Sequence, residues 1–299
     1  MRIAYIIIAH INLDQLATLV DLLTLETDDF CFIILDSKSI DFNDVKYFES
    51  RVSSCKYQID CSVEINWGGF SIVESTLKTL ITILKHKSNF SYIFLLSGMD
   101  LPLKSNTEIH RTLYSNPCEY YLDYFELPDK RWGLPYGGNE RFEYFWFIDD
   151  AGFEEAKRNV NLQALAGKNR NRPAEIKNIF GGSQWWTITP TCARFILEFV
   201  LRFPNVLKFF RYTKIPDEMF FQTVILNSEI AKEGCNNNLR FIDWETGIEY
   251  PRVFDISDYS RLTSSEKLFA RKFDRNKDAI IISKIIQHIN PKYFETMKY

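Results

Sequence analysis

IAYIIIAHINLDQLATLVDLLTLETDDFCFIILD runs from Ile3 to Asp36, and its two ends read alike. Ile3 to Ala9 and Phe30 to Asp36 are short apolar runs of strand length, and Leu13 to Leu23 between them carries apolar residues at helical spacing. Strand, helix, strand in that order marks a βαβ unit and a largely parallel sheet. The alternation continues. Ser62 to Ile65 and Tyr92 to Ser97 read as further strands, Ser71 to Leu84 as a helix, and DFNDVKYFESRV (Asp41 to Val52) as a weaker one. After the fourth strand, SGMDLPLKSNTEIHRTL supplies a Gly turn, a Pro, and then Ser105-x-x-Glu108, a capping box that opens another helix. The class expected is α/β, with a Rossmann-type nucleotide-binding sheet in residues 1–115.

Downstream the pattern changes. From Cys118 to Asn178 it is irregular and aromatic, with RWGLPYGGNERFEYFWF (Arg131 to Phe147) before the basic stretch KNRNRPAEIKN (Lys168 to Asn178). Such a segment suits an acceptor-binding insertion better than scaffold. Regular structure resumes with a strand in SQWWTITP (Ser183 to Pro190) and a helix from Thr191 to Leu201. A short strand in LRFIDW (Leu239 to Trp244), the basic LFARKFDRNKD (Leu268 to Asp278) and a helix from Asp278 to His288 complete the chain. No repeat or domain linker interrupts it. One compact domain spanning 1–299 is expected, with residues 116–299 as its acceptor-binding and catalytic part.

In KIPDEMFFQTVILNS (Lys214 to Ser228), Asp217 and Glu218 stand directly before an apolar run. Pro216 fits a first helical position, and acids in a first turn meet the positive end of the helix dipole. On this basis alone the two acids start a helix.

Composition narrows the function. The 299 residues are 46% hydrophobic and 25% charged, an ordinary globular balance that excludes wholesale disorder. A net charge of -3 offers no global attraction to nucleic acid or anionic membrane, so any phosphate must be held locally. Aromatic content reaches 15%, and exposed rings of that kind suit the C–H faces of sugars. Six cysteines (Cys31, Cys55, Cys61, Cys118, Cys192, Cys235) show no C-x-x-C spacing, and a reducing compartment with free thiols is expected. The N-terminal apolar run is followed at once by His10, Asn12 and Asp14, which reads as a first strand rather than a signal peptide. No run of about 18 apolar residues occurs, so no transmembrane helix is expected.

IAYIIIAH, INWGGFSIVESTLKTL, YIFLLSGMDLPLKS, FGGSQWWTITPTCARFIL, KIPDEMFFQTVILNS, NNNLRFIDW and LFARKFD occur in this order between Ile3 and Asp274. In that order they resemble the core-2/I-branching glycosyltransferases, the family of β-1,6-N-acetylglucosaminyltransferases and peptide O-xylosyltransferases. The resemblance implies a GT-A-like fold, a UDP-sugar donor, a glycan acceptor, and inversion at the anomeric carbon with no metal cofactor. It assigns the general base to Glu218, leaving Asp217 as a first-turn acid, and diphosphate binding to Lys272 with Arg271 beside it. A second cation is expected upstream: Arg252 in GIEYPRVFDISDYSRL, with Arg240 as the competitor. His10, Asp36 and Trp67 are expected at or beyond strand ends on the donor side, and Asp100, Ser183, Trp185 and Trp244 on the substrate, with Trp186 nearby. Gly68 and Gly69 imply close backbone approach, toward donor or helix.

Metal-using transferases of this fold usually carry Asp-x-Asp at a strand end, because Mg²⁺ or Mn²⁺ bridges carboxylate and diphosphate oxygens. The corresponding segments here read LDSK and SGMD, and Asp149-Asp150 is a pair of adjacent acids in a turn. Two rivals stand beside the enzyme: a sugar-nucleotide or glycan-binding protein without turnover, and a metal-dependent transferase. UDP-GlcNAc ranks first as donor and UDP-xylose next. A cytoplasmic bacterial enzyme of surface-polysaccharide assembly is the expected setting, compatible with peripheral association to a lipid-linked acceptor.

Overall fold

The computed structural model describes residues 1–244 and 250–296; Gly247 to Glu249, which open the segment upstream of Arg252, lie outside it. The chain forms two units. The first comprises Met1–Ser62, Asn89–Pro117 and Leu239–Tyr299, the second Val63–Ser88 and Cys118–Asn238. The partition therefore does not fall at a single point near residue 115, because each unit is assembled from segments distant in sequence.

In the first unit the strands lie in the order Tyr92–Ser97, Ile3–Ala9, Phe30–Asp36, Tyr57–Val63. Ile3–Ala9 is central and parallel to both neighbours, with Ala9 opposite Leu35 and Ile8 opposite Ser97. Burial on both faces is why these runs are apolar throughout. The register brings His10, Asp36 and the Gly98–Asp100 loop to one edge of the sheet, past the carboxyl ends of its strands. The strand expected at Ser62 to Ile65 is Tyr57–Val63 instead. Its residues are exposed or half-buried, so its apolar signal is weak.

A second, three-stranded sheet places Phe269–Arg271 between Arg240–Ile242, which is parallel, and Leu101–Pro102, which is antiparallel. Helix Ala279–Ile289 clamps it, burying Ile281, Ile282, Ile285 and Ile286 with Leu101, Leu103, Phe254 and Phe273. Helix Asn106–Ser115 opens with the expected box: Ser105 Oγ accepts from Glu108 N–H and the Glu108 carboxylate accepts from Ser105 N–H.

The second unit holds shorter strands. Tyr120–Leu122 pairs antiparallel with Thr187–Ile188 and parallel with Cys235–Asn236, and Tyr124–Glu126 pairs with Phe180–Gly182. Cys118 and Cys235 form a disulfide in this unit, which corrects the expectation of six free thiols. The partners lie 117 residues apart, and the parallel pairing of Tyr121 with Cys235 and Leu122 with Asn236, with Glu119 N–H donating to Glu233 O, brings the two segments together. Helix Phe153–Leu165 lies inside the stretch expected to be irregular; it buries only Ala156 and Val160 and leaves Leu162 and Leu165 exposed, too narrow a stripe to read.

From the basic stretch Lys168–Asn178, Arg170 turns inward. Its guanidinium donates to the carbonyls of Tyr144, Phe209 and Tyr212 and packs against the rings of Phe145 and Phe209, and burial lowers its pKa to about 10. It is a staple of the fold. Among the described residues no helix is long and apolar enough to cross a membrane.

Candidate functional site

The residues expected to act fall into two groups, one in each unit. In the first unit, strand Phe269–Arg271 delivers Arg271 and Lys272 to the Gly98–Asp100 loop: Phe273 N–H donates to Met99 O, and Arg271 Nε donates to Asp100 Oδ1 at 3.0 Å. Gln15 completes the attachment. Its amide donates to the carbonyls of Gly98 and Phe273 and its oxygen accepts from Arg275 N–H. Asp100 is fully buried, and its carboxylate also accepts from Ser97 N–H. This corrects its expected place on the substrate: Asp100 lies beneath the site and orients Arg271.

Lys272 is half-buried, and its ammonium makes no ion pair among the described residues. Burial first, then the charge of Arg271, lower its pKa, opposed by Asp274 and Asp100. His10 belongs to the same group. Desolvation and then the charge of Lys272 lower its pKa, while Asp36 acts in the opposite sense. Asp36 is buried and closes its own turn, accepting from Lys38 N–H at 3.3 Å and Ser39 Oγ at 3.0 Å.

Neither contender for the second cation is a bare charge. Arg252 is held by Asp255 at 3.0 Å and Asp258 at 3.1 Å. Arg240 is 3% exposed, donates to Leu95 O, and lies over the rings of Phe94 and Phe269; burial lowers its pKa to about 9. Arg240 is therefore part of the core. Trp244 stands 52% exposed in this unit.

In the second unit the acids of KIPDEM do not open an α-helix, contrary to expectation. Pro216–Glu218 is a separate 3₁₀ turn, Met219 breaks the backbone at φ -136°, and helix Phe220–Leu226 begins after it. The acids therefore precede that helix and do not form its first turn. The turn is held from behind. Ile215 sits in the left-handed region at φ 51°, a conformation costing about 1–3 kcal/mol for a residue of its kind. Two hydrogen bonds keep it there: Lys214 N–H to Arg141 O and Ile215 N–H to Gly68 O, each 2.8 Å.

Glu218 is 24% exposed at its side chain, and its Oε2 accepts from Arg141 Nη1 at 2.7 Å. Its Oε1 accepts no hydrogen bond among the described residues. One oxygen is anchored by a charge-assisted bond and the other is available. Asp217 differs from the solvated first-turn acid expected. It is 5% exposed, its Oδ1 has no hydrogen-bond partner among the described residues, and burial followed by the charge of Glu218 raises its pKa to about 7. Arg141 was not legible as a site residue, since nothing in NERFEY signals a partner 77 positions away.

Trp67 is 55% exposed with its ring against Phe153. At Gly69 the close approach is to a side chain. A Cβ there would lie 2.3 Å from the Asp149 carboxylate, which caps helix Ser71–Lys85 by accepting from Phe70 and Ser71 N–H. Asp149 is thus committed to structure. Trp186 is wholly buried against Phe221, and Trp185 is 6% exposed; the strand there is only Thr187–Ile188. Ser183 Oγ accepts from Trp185 N–H, and its carbonyl accepts from the Gln222 amide.

The Core-2/I-Branching enzyme family matches residues 3–264. The bovine (Bos taurus) β-1,3-galactosyl-O-glycosyl-glycoprotein β-1,6-N-acetylglucosaminyltransferase is 23% identical over 330 residues, covering 99% of this chain and 71% of its own length. Xylosyltransferase 2 of the dog (Canis lupus familiaris) is 25% identical over 323 residues, covering 98% of this chain but 34% of its own length. Among solved structures, galactosyltransferase LgtC with donor and acceptor sugar analogs superposes with a TM-score of 0.41 at 9% identity, covering 99% of each chain. Mouse xyloside xylosyltransferase 1 does so with a TM-score of 0.42 at 11% identity, covering 90% of this chain and 97% of its own. With the family match running over residues 3–264, the chain belongs to the core-2/I-branching enzyme family of glycosyltransferases.

Proposed function

We propose that the protein moves a sugar from a UDP donor to a hydroxyl of a glycan acceptor by a single inverting displacement that uses no metal ion. The observation that carries this is Glu218: one carboxylate oxygen fastened to Arg141, the other without a hydrogen-bond partner among the described residues. An in-line displacement needs one carboxylate to take the acceptor proton as the hydroxyl attacks, and a fixed base with an open oxygen meets that need. On the donor side, the ammonium of Lys272, which makes no ion pair among the described residues, would counter with Arg271 beside it the charge that grows on the departing diphosphate. UDP-GlcNAc is the first donor proposed and UDP-xylose the second, in line with the names of the bovine and dog relatives.

The test is UDP release from a panel of UDP-sugars, with and without glycan acceptors, for the wild type and Glu218→Gln. General-base catalysis is worth roughly 10²–10⁴-fold, so turnover falls by about that factor while UDP affinity holds. A variant that keeps more than about a tenth of wild-type turnover removes Glu218 as the base. UDP-sugar binding with no turnover under any condition favours the non-catalytic alternative.

A further inference from the structure

Arg141 holds Glu218, and something must hold Arg141. The guanidinium carbon of Arg141 lies 3.6 Å from the centre of the Trp132 ring. At that distance the cation rests flat on the indole, which leaves its Nη1 aimed at the Glu218 carboxylate 2.7 Å away. The indole is itself fixed on its other sides. A Cβ at Gly138 would fall 2.5 Å from Trp132 Cε3, and one at Gly181 would fall 2.5 Å from Cη2. Phe125 meets the ring edge-on at 5.1 Å. The short helix bearing Trp132 is pinned in turn, because Asp129 accepts from Arg131 N–H at its start.

Two glycines without side chains and one edge-on ring therefore make a slot for a single indole, and that indole presents a face to one arginine. We infer that Trp132 is a positioning residue for the reaction, acting on Glu218 through Arg141. The inference rests on Glu218 being the base. Trp132 has no need to touch either substrate. Its work is to keep a long, flexible arginine in the one rotamer that fastens Oε2 and leaves Oε1 open.

A double-mutant cycle tests this. Trp132→Ala is expected to lower kcat about ten-fold, the order set by a desolvated cation–π contact, with the donor KM and UDP affinity unchanged. Trp132→Phe, which keeps an aromatic face, recovers most of the loss. Arg141→Lys, which keeps the charge but loses the planar stack, falls between wild type and Trp132→Ala. In a Glu218→Gln background, Trp132→Ala costs nothing further, because its target oxygen is gone. If the Trp132 and Glu218 losses multiply instead, or if Trp132→Ala turns over normally, the inference is overturned. Should Trp132→Ala melt too low to assay, Trp132→Leu fills the slot without a ring and enters the same cycle. A harmless Glu218→Gln would defeat the functional reading itself, a result separable from a failure confined to Trp132.

Discussion

Replacing Asp217 with Asn changes one atom and removes a proton site that the fold has displaced. The carboxyl is 5% exposed, has an unpartnered oxygen, and is held near pKa 7 against an ordinary 3.8 by burial and then by Glu218, with Arg141 opposing. A raised carboxyl binds its proton more tightly in the folded protein than in the unfolded chain. Its contribution to stability is therefore complete below about pH 3.8 and is lost as pH rises through about 7. A gap of about three pH units, at about 1.4 kcal/mol each, makes the loss about 4 kcal/mol. Asn carries no such dependence. Between pH 5 and pH 8 the wild type should lose roughly 3 kcal/mol relative to Asp217→Asn, and for a chain of this length the difference in Tm should widen by on the order of 5 °C. The assay is thermal unfolding of both proteins across that range. Only the change of the difference with pH counts, since a constant offset reports the fit of the Asn amide. If the difference is flat from pH 5 to pH 8, Asp217 is not the buried neutral acid inferred here.

On the donor side, Lys272→Ala should weaken UDP binding by roughly ten- to a hundred-fold, the equivalent of one charge-assisted hydrogen bond, and equal affinities in calorimetric titration would make Lys272 a surface cation. Activity in excess EDTA should equal that in Mg²⁺ or Mn²⁺; loss with EDTA and recovery on adding metal would refute the metal-free mechanism. Thiol titration of the denatured, unreduced protein should find Cys31, Cys55, Cys61 and Cys192 free and Cys118 with Cys235 blocked, whereas six reactive thiols would exclude the disulfide.

What could be read in advance followed the physics of local signals. Ile3–Ala9, Phe30–Asp36 and Tyr92–Ser97 are strands with the expected limits, because strands buried on both faces write uninterrupted apolar runs. The Ser105 box is equally local. Glu218 and Lys272 were legible as motif residues, but their surroundings were not. The break at Met219 depends on Ile215 being held in a left-handed conformation by Gly68 and Arg141, residues remote in sequence. Arg252 reads as a phosphate cation until Asp255 and Asp258 are seen to close on it. Arg240 competes with it until it is found buried over Phe94 and Phe269. In each case the deciding partner is set by tertiary packing, and neither composition nor spacing carries that information.

The interleaving of the two units has a consequence on the ribosome. The chain passes between them four times, and the first unit lacks strands Arg240–Ile242 and Phe269–Arg271 and helix Ala279–Ile289 until the last segment emerges. About 120 residues separate Pro117 from Leu239, which at roughly 5–20 residues per second is a wait on the order of 10 s. During that interval Leu101 and Leu103 have no Ile281 or Ile285 to cover them, and Leu101–Pro102 has no strand beside it. The unit bearing Glu218 has all its segments by Asn238, whereas Lys272 belongs to the segment that follows. A nascent chain arrested after residue 238 therefore carries Glu218 without Lys272 and presents a bare apolar edge, a form suited to chaperone capture.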